Sequence, residues 1–161
     1  EIYTLSLHDA LPIWSYSNLL TFMGSCQLKL NLLDEAANNF SMARQYYLQV
    51  TEADPAIANY TSAIVGIVTI VDAYIQTDHY HEAYEWTSHF DNMLQQCRQH
   101  PKAREEYIDK QWARLCLYRA CALEGLGQKA EAAKAYLAAL QTNYAKTGDG
   151  KIEATKYTAR T

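Results

Sequence analysis

The stretch Leu126-Gly127-Gln128-Lys129-Ala130-Glu131-Ala132-Ala133-Lys134-Ala135-Tyr136 decides the fold of this 161-residue chain. Gly127 suits the left-handed cap that ends a helix, and a helix-period pattern resumes directly after it. The stretch therefore predicts the turn and second helix of a helix hairpin. Ala132 is small enough to let the two helices approach closely. Tyr136, one turn later, is large enough to fill the space between this hairpin and the next.

Two further stretches align with this one. They begin Leu33-Asp34-Glu35-Ala36 and Tyr80-His81-Glu82-Ala83, so a Glu-Ala pair opens the second helix of each hairpin. Four residues after the alanine stand Phe40 and Thr87, one aromatic and one not. The three alanines are 47 and 49 residues apart. A unit that recurs at such a period predicts stacked supersecondary units rather than a single irregular core.

The spacing of apolar residues predicts six helices and the beginning of a seventh. They span about residues 15–30, 33–50, 55–77, 80–99, 103–126 and 129–146, with the seventh from 151. Asp54 is expected to cap the third helix, with Pro55 in its first turn. Gly148-Asp149-Gly150 is expected to be a turn. No stretch alternates as a strand does, so the predicted fold class is all-α, with antiparallel helix hairpins stacked on one another.

The pattern resembles the tetratricopeptide repeat family. Leu126-Gly127 is similar to the family's turn. The family's small and aromatic positions match, over the three hairpins, Gly24, Ala36, Phe40, Ala83, Ala120, Ala132 and Tyr136. The resemblance implies a right-handed α-solenoid that binds protein or peptide partners. The family period is about 34 residues, so the chain is expected to be a long-helix variant. HEAT repeats, at about 40–47 residues, are closer in period but fit the turn less well.

The first residues are set apart from this pattern. The stretch EIYTLSLHDALPI, residues 1–13, resembles the translation of a sequencing adapter. We therefore expect the native sequence to start near Trp14 and the repeat domain to be residues 14–161. Its hairpins are expected at about 15–50, 54–99 and 103–146, with a further helix from 151 to 161.

A second resemblance suggests an alternative context. The run from Leu123 to Ala132, with residues 144–147 and 151–154, is similar to the sensory repeat regions of Bacteroidetes-type membrane histidine kinases and related regulators. This implies a signal-input region of a bacterial two-component histidine kinase or transcription regulator. No kinase motif lies in the chain, and a cytoplasmic or a periplasmic location both stay open.

Charge and composition argue against several other functions. The net charge is −4, without a basic stripe, so nucleic-acid binding is not expected. The apolar run Ala63–Val71 is nine residues long, whereas a membrane span needs about 20. The four cysteines form no C-x-x-C pair, so they are expected to be buried apolar side chains.

The remaining polar motifs are weak candidates for chemistry. His81, Glu85 and His89 share a helix face but lack the zincin order and a fourth ligand, so they predict a solvated face rather than a metal site. The run Lys146–Lys151 lacks the order of a phosphate-binding loop. The acidic cluster Glu105, Glu106 and Asp109 is expected to complement a helix dipole. We therefore expect no enzyme activity and no cofactor.

Thirteen tyrosines make a partner-binding surface the favoured function. Tyrosine gives a large contact area at low entropic cost, and helical repeats present their first helices along one groove. Asn59, Tyr60, Tyr74, Tyr118 and Arg119, on predicted first helices, are the expected groove residues. The partner is expected to be a protein or peptide, and uncapped ends of the stack are expected to allow self-association.

Overall fold

The computed structural model describes residues 7–158, and their side chains from residue 13 to 157. This part of the chain contains seven α-helices, one 3-10 helix and no strand. The helices are α1 (Leu7–Lys29), α2 (Leu33–Ala53), α3 (Ile57–Gln76), α4 (Tyr80–Arg98), α5 (Glu105–Gly125), α6 (Lys129–Leu140) and α7 (Gly148–Thr158); the 3-10 helix is Tyr144–Lys146. The all-α fold class is confirmed.

The helices pack as three consecutive hairpins: α1 with α2, α3 with α4, and α5 with α6. Each second helix also packs on the first helix of the next hairpin, α2 on α3 and α4 on α5. The first helices form their own row, in which α1 contacts α3, α3 contacts α5, and α5 contacts α7. This arrangement is a stack of helical repeats.

The turns of the three hairpins share one backbone conformation. Asn31, Asp78 and Gly127 have φ angles of 60°, 60° and 80°, and each lies five residues before the alanine of its repeat. The amide after each of these residues donates to a carbonyl five residues back, at 2.8, 2.9 and 2.9 Å. This bond closes a Schellman-type cap, which needs a left-handed residue. Asparagine, aspartate and glycine are the residues that adopt this conformation most readily.

Small residues of the first helices receive aromatic side chains of the second helices. A Cβ on Gly24 would overlap the ring of Phe40, and a Cβ on Gly66 would overlap the ring of Tyr47. Phe40 also lies 5.2 Å from the Tyr74 ring of the next hairpin, between centroids. Aromatic side chains of α2 therefore fill the space between the first two hairpins, and their fit depends on glycine opposite them.

The repeat positions read from the sequence occupy the following places. Ala36, Ala83, Ala120 and Ala132 are buried, as are Gly24 and Phe40. Tyr136 is half-buried, and its hydroxyl donates to Glu124 Oε2 in its own hairpin at 2.9 Å. Gly127 adopts the left-handed turn.

The third hairpin departs from the predicted helix bounds. α6 ends at Leu140, not near residue 146, because the amides of Asn143 and Tyr144 turn back to the Asp109 carboxylate on α5. The predicted turn at residues 148–150 is instead the first turn of α7. Thr147 caps this helix by accepting a hydrogen bond from the Gly150 amide at 3.0 Å.

The connection between α2 and α3 also differs from expectation. α2 continues to Ala53, and α3 begins at Ile57 with Ala56 as its N-cap residue. Asp54, predicted to be that cap, instead follows the end of α2. Its carbonyl accepts a hydrogen bond from the Asn59 side chain at 2.8 Å.

Two helices concern earlier expectations: α1 concerns the origin of the first thirteen residues, and α3 concerns the length of the apolar run. α1 extends back to Leu7, into the stretch that resembles an adapter, and the origin of residues 1–13 stays a prediction. α3 is 20 residues long and is apolar enough, by length and composition alone, to cross a membrane. Here α3 lies inside the stack, and its buried residues include Ile64, Ile67 and Ile70.

We expect Gly66→Ala to lower the free energy of unfolding by about 2 kcal/mol, despite alanine's better helix propensity of about 1 kcal/mol. The added methyl overlaps Tyr47, whose hydroxyl is held by Thr21 at 3.0 Å and by Asn18 at 3.3 Å. Gly148→Ala is the control, since a Cβ there meets nothing within 4 Å. Urea denaturation followed by circular dichroism measures both variants. Equal stability of the two would contradict the packing argument.

Gly127 allows a matched test of the turn. Gly127→Ala should cost about 1 kcal/mol, because alanine is strained at a φ of 80°. Gly127→Asn should cost less than about half of that, because asparagine tolerates this region, as Asn31 does. Thermal unfolding of both variants measures the difference. An asparagine variant less stable than the alanine variant would show that turn conformation is not what limits this position.

Candidate partner-binding cleft

A cleft of about 460 Å³ lies on the side of the stack formed by the first helices α3, α5 and α7. We call it the first-helix cleft. Its lining residues are Val68, Thr69, Asp72, Arg114, Tyr118, Asp149, Ile152, Glu153, Lys156 and Tyr157. It combines apolar and charged side chains from three helices.

An ion pair docks α7 against α5 at this cleft. Arg114 Nε donates to Glu153 Oε1 at 2.6 Å, and the two side chains are only 22% and 13% exposed. The Tyr144 hydroxyl donates to the other carboxylate oxygen of Glu153 at 2.7 Å. Burial raises the pKa of the Glu153 carboxyl, but these hydrogen bonds and the nearby cations outweigh it, and the net pKa is lowered.

A second network joins α7 to α3 at the base of the cleft. The Tyr157 hydroxyl donates to Asp72 Oδ1 at 3.2 Å and is hydrogen-bonded to the Tyr118 hydroxyl at 2.9 Å. A hydroxyl has one proton, so Tyr118 supplies the proton of the second bond. Burial above all, together with the negative charge of Asp72, raises the pKa of both hydroxyls. Both therefore stay protonated and act as donors.

Three charges of the cleft remain available to a ligand. Asp72, Asp149 and Lys156 form no ion pair within the described part of the chain. Ile152 adds an apolar surface that is 71% exposed. The cleft can therefore hold a segment that offers an apolar side chain to Ile152 and a side chain opposite in charge to one of these three residues. Arg114 and Glu153, by contrast, are committed to holding α5 and α7 together, and Asp72 uses its Oδ1 for the hydrogen bond from Tyr157.

The predicted groove residues are mostly elsewhere. Tyr74 is 3% exposed and packs edge-on against Phe40, so the expectation that it lines a groove is wrong in this structure. Tyr118 is 2% exposed and reaches only the base of the cleft. Both side chains are large and mostly apolar. Burying them in the core is therefore more favourable in free energy than exposing them to water.

The other three predicted groove residues serve contacts between elements. Asn59 bonds to the backbone of Asp54, and the Tyr60 ring lies 5.9 Å from that of His100. Arg119 faces α4, where it pairs with Asp91 at 2.9 Å. They do not come together with Tyr118. The five residues therefore do not form one groove in this structure, and a role in partner binding stays a prediction.

Sequence reasoning missed the residues that α7 contributes. Ile152, Glu153, Lys156 and Tyr157 recur at helical spacing, and this was the available signal. The placement of the seventh helix beside α5, however, depends on contacts with residues far away in the chain. Asp72 was a second available signal, because it is the first charged residue after the apolar run of α3.

The histidine face of α4 does not form a converging site. His81 and Glu85 pair at 3.3 Å, and both side chains are exposed. His89 packs edge-on against Trp86, at 4.8 Å between ring centroids. Among the described residues, no three side chains of histidine, cysteine, aspartate or glutamate are grouped so that they could hold a metal ion. Cys97, Cys116 and Cys121 are buried, and Cys26 is exposed.

Compared with known proteins, the chain matches no family model, no curated protein and no solved structure. The fold itself defines the class: the chain is an all-helical protein of repeat-like architecture.

The lowered pKa of Glu153 predicts an acid-sensitive contact. A carboxyl whose folded pKa lies below its ordinary value near 4.5 stabilises the fold above that value. The contribution is lost as the pH falls through the lowered pKa. Glu153→Gln should therefore cost about 2 kcal/mol near neutral pH and progressively less below about pH 4.

The measurement is the difference in free energy of unfolding between wild type and Glu153→Gln across this pH range. Glu131→Gln is the control, because its partner Lys134 is 75% exposed and the pair is worth little. A difference for Glu153→Gln that stays constant as the pH falls would contradict the assignment.

Proposed function

We propose that this chain is a non-catalytic, protein- or peptide-binding scaffold of the tetratricopeptide kind, and that it holds a partner segment in the first-helix cleft. The observation that carries the proposal is the cleft itself: α3, α5 and α7 meet there and leave an exposed isoleucine beside unpaired charges. Helical repeats bind partners along the row of first helices. The repeated turn and the small positions support the tetratricopeptide assignment.

The chemistry of the cleft favours a basic and apolar segment. Asp72 and Asp149 are without an ion pair in the described residues, against the single cation Lys156, since Arg114 is already paired with Glu153. A lysine or arginine of the partner would find a carboxylate at Asp72. An adjacent leucine or similar side chain would cover Ile152.

The roles that the polar side chains already have support the proposal of non-catalytic binding. Glu153 accepts hydrogen bonds from Arg114 and Tyr144, and Asp72 accepts one from Tyr157. Each such bond joins two helices, so these groups are positioned to hold the cleft open rather than to exchange protons with a substrate. The alternative of a sensory region rests on sequence resemblance alone and stays a prediction.

A peptide library selected on the immobilised full chain tests the proposal. Selected peptides should be enriched in lysine or arginine next to a large apolar residue. Asp72→Asn keeps an acceptor for Tyr157 but removes the charge, and it should weaken their binding about tenfold. Ile152→Ser should weaken it about fivefold, because it removes apolar contact area.

Leu137→Ser is the matched control, since Leu137 is exposed on α6 and does not line the cleft. Affinity is measured by fluorescence anisotropy of labelled peptides. Peptides that bind all three variants as they bind the wild type would place the binding surface outside this cleft.

A further inference from the structure

The two ends of the stack each leave one helix face uncovered. In the part of the chain that the structure describes, α2 packs on α3 and α4 packs on α5, but no second helix of a preceding hairpin packs on α1. At the other end, α6 packs within its own hairpin and on no further first helix, and α7 makes no packing contact with it. α1 and α6 are therefore the two unmatched sides of the interface that joins neighbouring hairpins.

The left-handed turn residues, which are 47 and 49 residues apart, align the helices of the three hairpins. In this alignment Met23 of α1 is equivalent to Arg119 of α5, which contacts α4. Leu19 is equivalent to Gly66 of α3, against which the Tyr47 ring of α2 packs. Met23 and Leu19 are 44% and 54% exposed. Positions that meet the preceding hairpin inside the stack are thus open on α1.

These two residues belong to an apolar stripe along α1, which we call the α1 stripe. Its members recur at intervals of three and four residues, the spacing of a helix face that packs on another helix. All are exposed, and they are Tyr16, Leu19, Met23, Cys26 and Leu30. Among the described side chains of α1, only Lys29 is charged. The stripe therefore offers an apolar surface without charges of its own.

Tyr136 and Leu140 of α6 provide the other side of such an interface. They are equivalent to Thr87 and Asp91 of α4, whose oxygens accept hydrogen bonds from Arg119 of α5 at 3.4 and 2.9 Å. Tyr136 is half-buried, and Leu140 is 61% exposed. Leu140 thus stands where a second helix reaches the first helix of the next hairpin.

The internal contact is polar, whereas its counterpart at the two ends is apolar. Inside the stack, Asp91 pairs with Arg119. At the equivalent positions of the ends stand Leu140 and Met23, and both are exposed. Two apolar side chains gain free energy when they cover each other from water. A second copy of the chain is the cover that fits, because one copy carries each half of this apolar pair.

We propose that copies of the chain associate head to tail, with α6 of one copy packed on the α1 stripe of the next as α4 packs on α5, and with Leu140 against Met23. The contact uses a different face of each copy, so it continues beyond a dimer. α6 has 12 residues, about 18 Å of helix, so each contact is small and the association is weak. Neither face lines the first-helix cleft, and the proposal does not depend on the proposed function.

The same alignment brings one pair of like charges together. The Tyr80 ring of α4 packs on Gly125 of α5, and the equivalent residues are Lys129 on α6 and Lys29 on α1. Both lysines are exposed, so salt screens their repulsion. The association should therefore strengthen as the salt concentration rises. Binding of a basic peptide in the first-helix cleft should weaken under the same conditions.

Sedimentation equilibrium of the full chain under reducing conditions tests the proposal. We expect an average mass that rises with concentration beyond that of a dimer. Met23→Arg and Leu140→Asp should each lower the association constant at least about tenfold, because each places a charge against an apolar side chain. Val65→Asp is the matched control, since Val65 is 65% exposed on α3 and belongs to neither face. A chain that stays monomeric at every concentration would overturn the proposal.

A mixture of the two single variants gives the sharper test. The copy with Leu140→Asp then presents its new carboxylate to the copy with Met23→Arg, which reproduces the pair of Asp91 with Arg119. The other two faces in the mixture are unchanged. The mixture should therefore associate although each variant alone does not. A mixture that stays monomeric, with the helicity of both variants retained by circular dichroism, would overturn the proposal.

Two further outcomes would assign the association to other faces. Loss of association in Met23→Arg but not in Leu140→Asp would show that α1 packs on α1 of the second copy in a symmetric dimer, and it would overturn the head-to-tail contact. Ile152→Ser should leave the association unchanged, since Ile152 lines the first-helix cleft. Loss of association in that variant would place the contact at the cleft and would also overturn the proposal.

Discussion

The stack of hairpins depends on aromatic rings that reach helix positions without a Cβ. Phe40 reaches Gly24 within the first hairpin, Tyr47 reaches Gly66 in the next hairpin, and Tyr80 of α4 lies against Gly125 of α5. At each glycine a methyl group would overlap the ring, so the helix axes are as close as an aromatic side chain between them allows. Interiors of this density do not deform continuously. The row of first helices is therefore fixed, and with it the walls of the first-helix cleft that α3 and α5 provide.

The first-helix cleft arises where the third hairpin departs from this regular stacking. α6 stops after 12 residues, and α7 then packs on α5 while making no packing contact with α6 in the described chain. Asp109 begins this change by binding the amides of residues 143 and 144, and the pair of Arg114 with Glu153 completes it. One side of α5 thus gains a wall from α7.

The parts of the structure that could be predicted are those with a local cause. The turn at Gly127 could be predicted because a left-handed residue ends a helix wherever it occurs. The small residues Ala36, Ala83 and Ala132 could be predicted because close helix packing within a hairpin involves neighbouring segments. The groove could not be predicted in the same way. Tyr74 and Tyr118 share the residue type preferred at binding surfaces, but the same apolar rings are equally suited to a core, and only the neighbours decide between the two.

By itself, the sequence determined that the chain folds into helix hairpins with a left-handed turn at Gly127, because helical spacing, that turn residue and the Glu-Ala pairs act over fewer than ten residues. Only the tertiary structure decided where α6 ends, where α7 docks and which side chains face the first-helix cleft. These depend on contacts such as Arg114 with Glu153, 39 residues apart, and Asp72 with Tyr157, 85 residues apart. Burial and charge in the assembled stack determine which of these side chains pair. A local sequence pattern does not contain that information.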